Sequence, residues 1–140
     1  MWQFHSLGSA TMIGIGLITV EPRAFAPLAS ALSKCGLSCW AAGSAQAYLR
    51  DARSARALSI IVDMAGQEGL EALEALRILG VRTPAILIAD AHCSLAPDRL
   101  ARACTLDVLR RPASTPELLS WIACVCAARM VLDKQRARAA

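Results

Sequence analysis

The sequence predicts an α/β fold, a doubly wound five-stranded parallel sheet with helices on both faces. Three observations predict it. Five short, nearly continuous apolar runs recur along the chain, and amphipathic stretches of helical spacing follow them in alternation. Hydrophobic residues make up 56% of the 140 residues and charged ones 19%. Strands that are apolar throughout are buried on both faces, and strands separated by helices pair in parallel through right-handed crossovers. A chain of this length and composition makes one domain with a real core, and its hydrophobicity excludes intrinsic disorder.

The first strand is expected at 12–20 (MIGIGLITV), bounded by Glu21 and Pro22. A helix over 23–34 follows, with Phe25, Leu28 and Leu32 at helical spacing and Gly36 where a C-cap belongs. The second strand is 37–41 (LSCWA), followed by a helix over 44–51. The third strand, 58–62 (LSIIV), leads into a helix over 67–79 whose Leu70, Leu73, Leu76 and Leu79 share a face, closed by Gly80. The fourth strand is 85–89 (AILIA), its helix 96–104, and the fifth strand 106–109 (LDVL). A final helix opens on Ser114, a capping residue, with Pro116 in its first turn. It is expected to end near 132. Residues 1–11 match no element and read as an N-terminal arm, 12–132 as the domain, and 133–140 as a basic tail free in solvent.

The net charge of +4 sits mostly in residues 129–140. Arg129, Lys134, Arg136 and Arg138 face only Asp133 there, which leaves the body near neutral. A domain that grips phosphate backbones shows a basic stripe across its body, so no direct nucleic-acid binding is expected. The longest apolar stretch, 7–20, is shorter than the roughly 20 residues of a membrane helix and has no basic leader. A cytoplasmic protein with no membrane contact is the expectation. The six cysteines (Cys35, Cys39, Cys93, Cys104, Cys124, Cys126) show no CxxC spacing and read as reduced, mostly buried small hydrophobes.

In an open parallel sheet, reacting groups gather at the carboxyl ends of the strands. Those ends carry Glu21, Asp63, Asp90 and the pair Arg110 and Arg111. Acids and bases together at neighbouring strand ends make a constellation rather than scattered charge. Other motifs fail. DMAGQE at 63–68 mimics a GTPase switch, but no Gly-Lys pair exists to make a P-loop. DAH at 90–92 lacks the glycine of a cobalamin site, and EPRAFAP at 21–27 is no flavin phosphate loop. His5 and His92 have no partners at metal spacing, and no Ser stands in GxSxG. The chain is therefore not read as an enzyme.

From about 12 to 132 the chain resembles the receiver domain of two-component response regulators, the CheY-like fold, and most of all receivers of the FixJ/NarL type. SIIVD before GLEALEALR, then GVRTPAILIA and LDVLRRP, carry the likeness. The resemblance implies a flavodoxin/CheY-like (βα)5 sandwich of strand order 2-1-3-4-5. It places Asp63 at the phospho-acceptor position and Glu21 in the acidic pocket. It also implies a histidine kinase or a downstream regulator as partner. The departures matter as much. The acid pair after the first strand reads Glu21 then Pro22, the Ser/Thr position is Ala89, the switch aromatic is Val108, and the Lys before Pro112 is Arg111.

Each departure has a chemical cost. Mg²⁺ takes one or two carboxylates plus waters and phosphate, and Pro22 removes one carboxylate, leaving Glu21 and Asp63 for weak binding at most. Ala89 lacks the hydroxyl that would bond a phosphoryl oxygen. Arg111 keeps the charge, but its planar fork suits a standing salt bridge to Asp63 or Glu21. The expected function is a pseudo-receiver that acts by protein contact with little or no phosphorylation. The alternative is a working receiver, phosphorylated at Asp63, from a FixJ/NarL-type transcriptional regulator. The last helix carries two apolar stripes. Leu118, Ile122 and Val125 suit the sheet, while Trp121, Cys124, Ala128 and Val131 are expected to form a homodimer or partner face, as the same surface does in receivers.

Overall fold

The computed structural model describes residues 14–139. The arm at 1–11 and the start of the first predicted strand lie outside the described residues. The elements follow as β1 (Gly14–Thr19), α1 (Ala26–Lys34), β2 (Ser38–Ala42), α2 (Ala45–Arg50), β3 (Ala57–Asp63), α3 (Glu68–Ile78), β4 (Ala85–Ala89), α4 (Pro97–Arg102), β5 (Thr105–Arg110) and α5 (Thr115–Ala139). Short 3-10 turns at Pro22–Phe25 and Ala52–Arg56 lead into α1 and β3. All strand pairs are parallel, in the order β2-β1-β3-β4-β5. The predicted fold class and strand order are those observed.

The local signals act as their chemistry requires. Gly36 and Gly80 end α1 and α3 at φ of 80° and 89°, a region costly for side chains with a Cβ. Ser114 and Glu117 form a capping box: Ser114 Oγ accepts from the Glu117 N–H at 3.2 Å, and Glu117 Oε1 accepts from the Ser114 N–H. Gly16 in β1 has a packing reason. A Cβ there would stand 2.3 Å from Cε1 of Tyr48, whose ring from α2 lies buried against the strand.

Alternate residues of the strands send the core to both faces. On one face Ile15, Leu17, Ile61, Ile86 and Ile88 meet Leu28 and Leu32 of α1 and Leu118, Ile122 and Val125 of α5. On the other, Ile18, Ile60, Val62 and Leu87 meet Tyr48 of α2 and Leu70, Leu73 and Leu76 of α3. Val108 is half-buried against this second cluster.

Four sequence expectations need correction. Leu79 does not continue the buried face of α3: it caps the helix and is exposed, while Arg77 goes inside instead. None of the six cysteines is fully buried, and Cys35, Cys104 and Cys124 are exposed, because they fall at helix ends and on outer helix faces; all six are free thiols. The residues after 132 are exposed as expected, yet they are helical through Ala139, because nothing between Glu117 and Ala139 breaks a helix. Finally, α5 is long and apolar enough to span a membrane by length and composition, although its apolar residues are interrupted by polar ones. Its first half sends Leu118, Ile122 and Val125 into the core.

Geometry explains why the buried residues of α5 stop at Val125. At 1.5 Å per residue its 25 residues reach about 37 Å, whereas the strands span about 20 Å. Starting at the carboxyl end of β5, α5 runs back past the amino end of the sheet. Val125 is its last buried residue.

Candidate functional site at the carboxyl ends of the strands

Parallel register aligns the ends of four strands. Thr19 of β1 pairs with Asp63 of β3, Asp63 with Ile88 of β4, and Ala89 with Arg110 of β5. Residues just past these ends therefore converge at one pole. Asp63 is the last residue of β3, with its side chain only 12% exposed. A carboxylate that dry requires a partner.

The partner is Arg111. Its Nη1 donates to Asp63 Oδ1, its Nε to Asp90 Oδ1 at 2.8 Å, and its Nη2 to the Met64 carbonyl at 3.1 Å. The Arg111 backbone N–H donates to the Ala89 carbonyl at 2.8 Å, which extends the β4–β5 ladder by one bond and fixes the root of the side chain. A cis peptide bond to Pro112 follows. One guanidinium thus spans the ends of β3 and β4. Lysine, with donors on a single nitrogen, could not make this three-way fork.

Around the fork, the loop from Asp90 to Ala96 is tied down from two other sides. Arg110 Nη1 donates to the carbonyls of Asp90 at 3.0 Å and Cys93 at 2.7 Å. Gln67, at the start of α3, donates through Nε2 to the Ser94 carbonyl at 2.6 Å. The loops after β3, β4 and β5 become one hydrogen-bonded unit.

The charges respond as the geometry dictates. Burial works against the charge on Arg111, but its hydrogen bonds to Asp63 and Asp90 more than offset this and hold its pKa above the usual value. The hydrogen bond from Arg111, helped by the Gly66 N–H, holds the Asp90 carboxyl below the ordinary aspartate range. A depressed carboxylate pKa contributes stability that is present above the unfolded value and lost as pH falls through the folded value. Arg111→Gln should therefore raise the Asp90 pKa toward an ordinary aspartate. Carbon-detected NMR titration of the carboxyl would read this directly, and an unchanged midpoint would refute the pairing.

Of the residues singled out in the sequence, Asp63 and Arg111 come together, as one of the two salt bridges considered requires. Asp90, whose direction the sequence left open, joins them. Glu21 is exposed past the end of β1, where its N–H donates to Thr19 Oγ1 at 3.0 Å, and it stands outside the Arg111 network. Pro22 begins the turn into α1, and Ala89 is buried at the end of β4. Arg110 and Gln67 were missed as loop anchors, because their partners are carbonyls that carry no sequence signal.

The resemblance to receivers implies Mg²⁺, and the residues present do not fit it. Oδ1 of Asp63 already accepts from a guanidinium, whose positive charge disfavours a metal ion at the same carboxylate. Among the described residues, no three acidic, His or Cys groups cluster with metal-binding geometry.

The sequence matches no protein-family profile and no curated protein. Its structure resembles solved receiver domains. It is similar to FixJ-N, with a TM-score of 0.64 and 22% identity over 81% of this chain and 92% of that one. It is also similar to a response regulator receiver protein from Pseudoalteromonas atlantica, with a TM-score of 0.65 and 24% identity over 82% and 98% of the two chains. Against the chemotaxis protein CheY4 of Vibrio cholerae the TM-score is 0.62, with 20% identity over 82% and 99%. With its strand order of 2-1-3-4-5 and an aspartate ending the third strand, the chain has the fold of response-regulator receiver domains.

Proposed function

We propose that the chain is an atypical receiver of a two-component signalling system, a non-catalytic cytoplasmic module that acts by protein contact while Asp63 stays held by Arg111. The observation that carries this reading is the single guanidinium on Asp63, Asp90 and the Met64 carbonyl. Phosphoryl transfer to a carboxylate needs a free oxygen and charge neutralisation around the incoming group. Here the neutralising cation sits on the acceptor itself. Loss of the second acid at Pro22 and of a hydroxyl at Ala89 works in the same direction. A histidine kinase or a downstream regulator is the kind of protein such a surface meets.

Incubation with Mg²⁺ and acetyl phosphate, followed by intact mass, tests this. No stoichiometric gain of about 80 Da, the mass of one phosphoryl group, is expected. A stoichiometric gain that vanishes in Asp63→Asn would instead establish a phosphorylatable receiver and overturn the pseudo-receiver reading.

We infer further that α5 is a contact surface for a second copy. Cys124, Ala128 and Val131 line one exposed stripe, with Val131 54% and neighbouring Leu132 49% exposed. Trp121, at the head of the stripe, is half-buried and packs partly on the core, so it anchors the stripe more than it displays it. Apolar side chains left this open on a protruding helix favour association. Sedimentation at micromolar concentration should show a dimer that Val131→Glu converts to monomer. A monomer indifferent to Val131→Glu would sink the second-copy assignment.

A further inference from the structure

We propose that Cys35 and Cys126 form a redox-sensitive dithiol, which closes to a disulfide and ties α1 to the base of the α5 overhang. The two helices lie side by side on one sheet face and run in the same direction, from the carboxyl pole to the amino pole. Leu28, Leu32 and Cys35 stand at i, i+4 and i+7, on one stripe of α1 that ends at the thiol. Leu32 belongs to the same core cluster as Val125, and Cys126 packs against that cluster from the next position of α5. Cys124 and Cys126 are two residues apart, which places them on different sides of the helix, roughly 200° around. Cys124 lies on the exposed stripe and Cys126 on the flank beside α1.

The Cys126 thiol also senses Cys35. Burial pushes the Cys126 thiol up, and the charge of the nearby Cys35 pushes it further the same way. Cys35 is exposed and Cys126 half-buried, so an oxidant in solvent meets Cys35 first.

The chemistry closes with hydrogen peroxide as oxidant. The Cys35 thiolate attacks the peroxide, an S–O bond forms, the O–O bond breaks, and water leaves after taking a proton. The Cys126 thiolate then attacks Sγ of the resulting sulfenic acid, an S–S bond forms, and hydroxide departs as a second water. Two thiols lose two electrons and two protons, and the peroxide is reduced to water. Because the Cys126 thiol is pushed up, the second step should quicken as pH rises.

Treatment of the full chain with dilute hydrogen peroxide, then intact mass without reductant, tests the pair. The expected result is a monomeric species lighter by about 2 Da, restored by dithiothreitol. Trypsin should then release the 35–50 peptide joined to the 111–129 peptide. Cys39 and Cys124 ride on these same peptides, so single variants assign the link. It should persist in Cys39→Ser and Cys124→Ser and be lost completely in Cys35→Ser and in Cys126→Ser. Oxygen adducts without a link, links that survive Cys126→Ser, or only intermolecular bridges would overturn the proposal.

Discussion

Replacing Arg77 with methionine should lower the unfolding free energy by about 3 kcal/mol, the largest loss expected from any single change away from the packed apolar core. Arg77 is 8% exposed, near the carboxyl end of α3. Its guanidinium donates to four carbonyls: Ala103 at 2.8 Å, Val81 at 2.9 Å, Thr83 at 2.8 Å and, more weakly, Cys104 at 3.4 Å. These belong to the turn after α3 and the turn after α4. One side chain therefore fastens two loops at the amino pole of the sheet.

The source of the effect follows from charge. An isolated buried cation is expensive, and burial does press the Arg77 pKa downward. Backbone carbonyls at the carboxyl ends of helices carry partial negative charge, and α3 and α4 both end here. Methionine fills a similar volume but leaves these carbonyls without their donor, at about 1–3 kcal/mol for each buried group that water cannot reach. Lysine should recover only part, because its donors leave one nitrogen and cannot fan out to both loops. Urea unfolding reads the difference. A Met variant within about 0.5 kcal/mol of the parent would mean that water replaces the guanidinium without cost.

Arg77 also marks where sequence reasoning stopped. The sheet was legible because its signals are local: apolar runs at 58–62 and 85–89, glycines at 36 and 80 where helices end, and Ser114 three residues before Glu117. In the sequence Arg77 looks like one more exposed helix base, and Leu79 like the next core residue. Only the arrival of the 81–83 and 103–104 carbonyls beneath the helix reverses that reading. The same holds at the site. Asp63 is readable from the strand it ends, and the chemistry of a guanidinium suggests a salt bridge from Arg111 to Asp63 or Glu21, a choice that only the folded chain decides. The recruitment of Asp90, Arg110 and Gln67 depends on how three loops meet. The shift from apolar to basic composition after Leu132 looked like the end of a helix, but composition is no helix breaker.

If Arg111 is what silences Asp63, reactivity should return when the lock and the missing groups are restored together. The triple variant Pro22→Asp, Ala89→Thr, Arg111→Lys is expected to accept phosphate from acetyl phosphate with Mg²⁺. Its rate should exceed the parent's by at least about a hundredfold, the scale of regaining one positioned stabiliser of developing charge. Each substitution has a separate task. Arg111→Lys frees the Asp63 oxygen while leaving one mobile cation nearby. Pro22→Asp adds the second carboxylate beside Glu21, and Ala89→Thr adds a hydroxyl at the end of β4, one residue past Ile88, the strand partner of Asp63. Arg111→Lys alone should gain little, because the pocket would still lack the groups that gather charge around the phosphoryl oxygens. The gain should disappear when Asp63→Asn is added, with intact mass as the readout. A triple variant that folds normally and still takes no phosphate would move the cause from these three side chains to the backbone of the loop after Asp63. Its Gly66, at φ of 56° and within hydrogen-bond reach of Asp90, holds that loop in its present path.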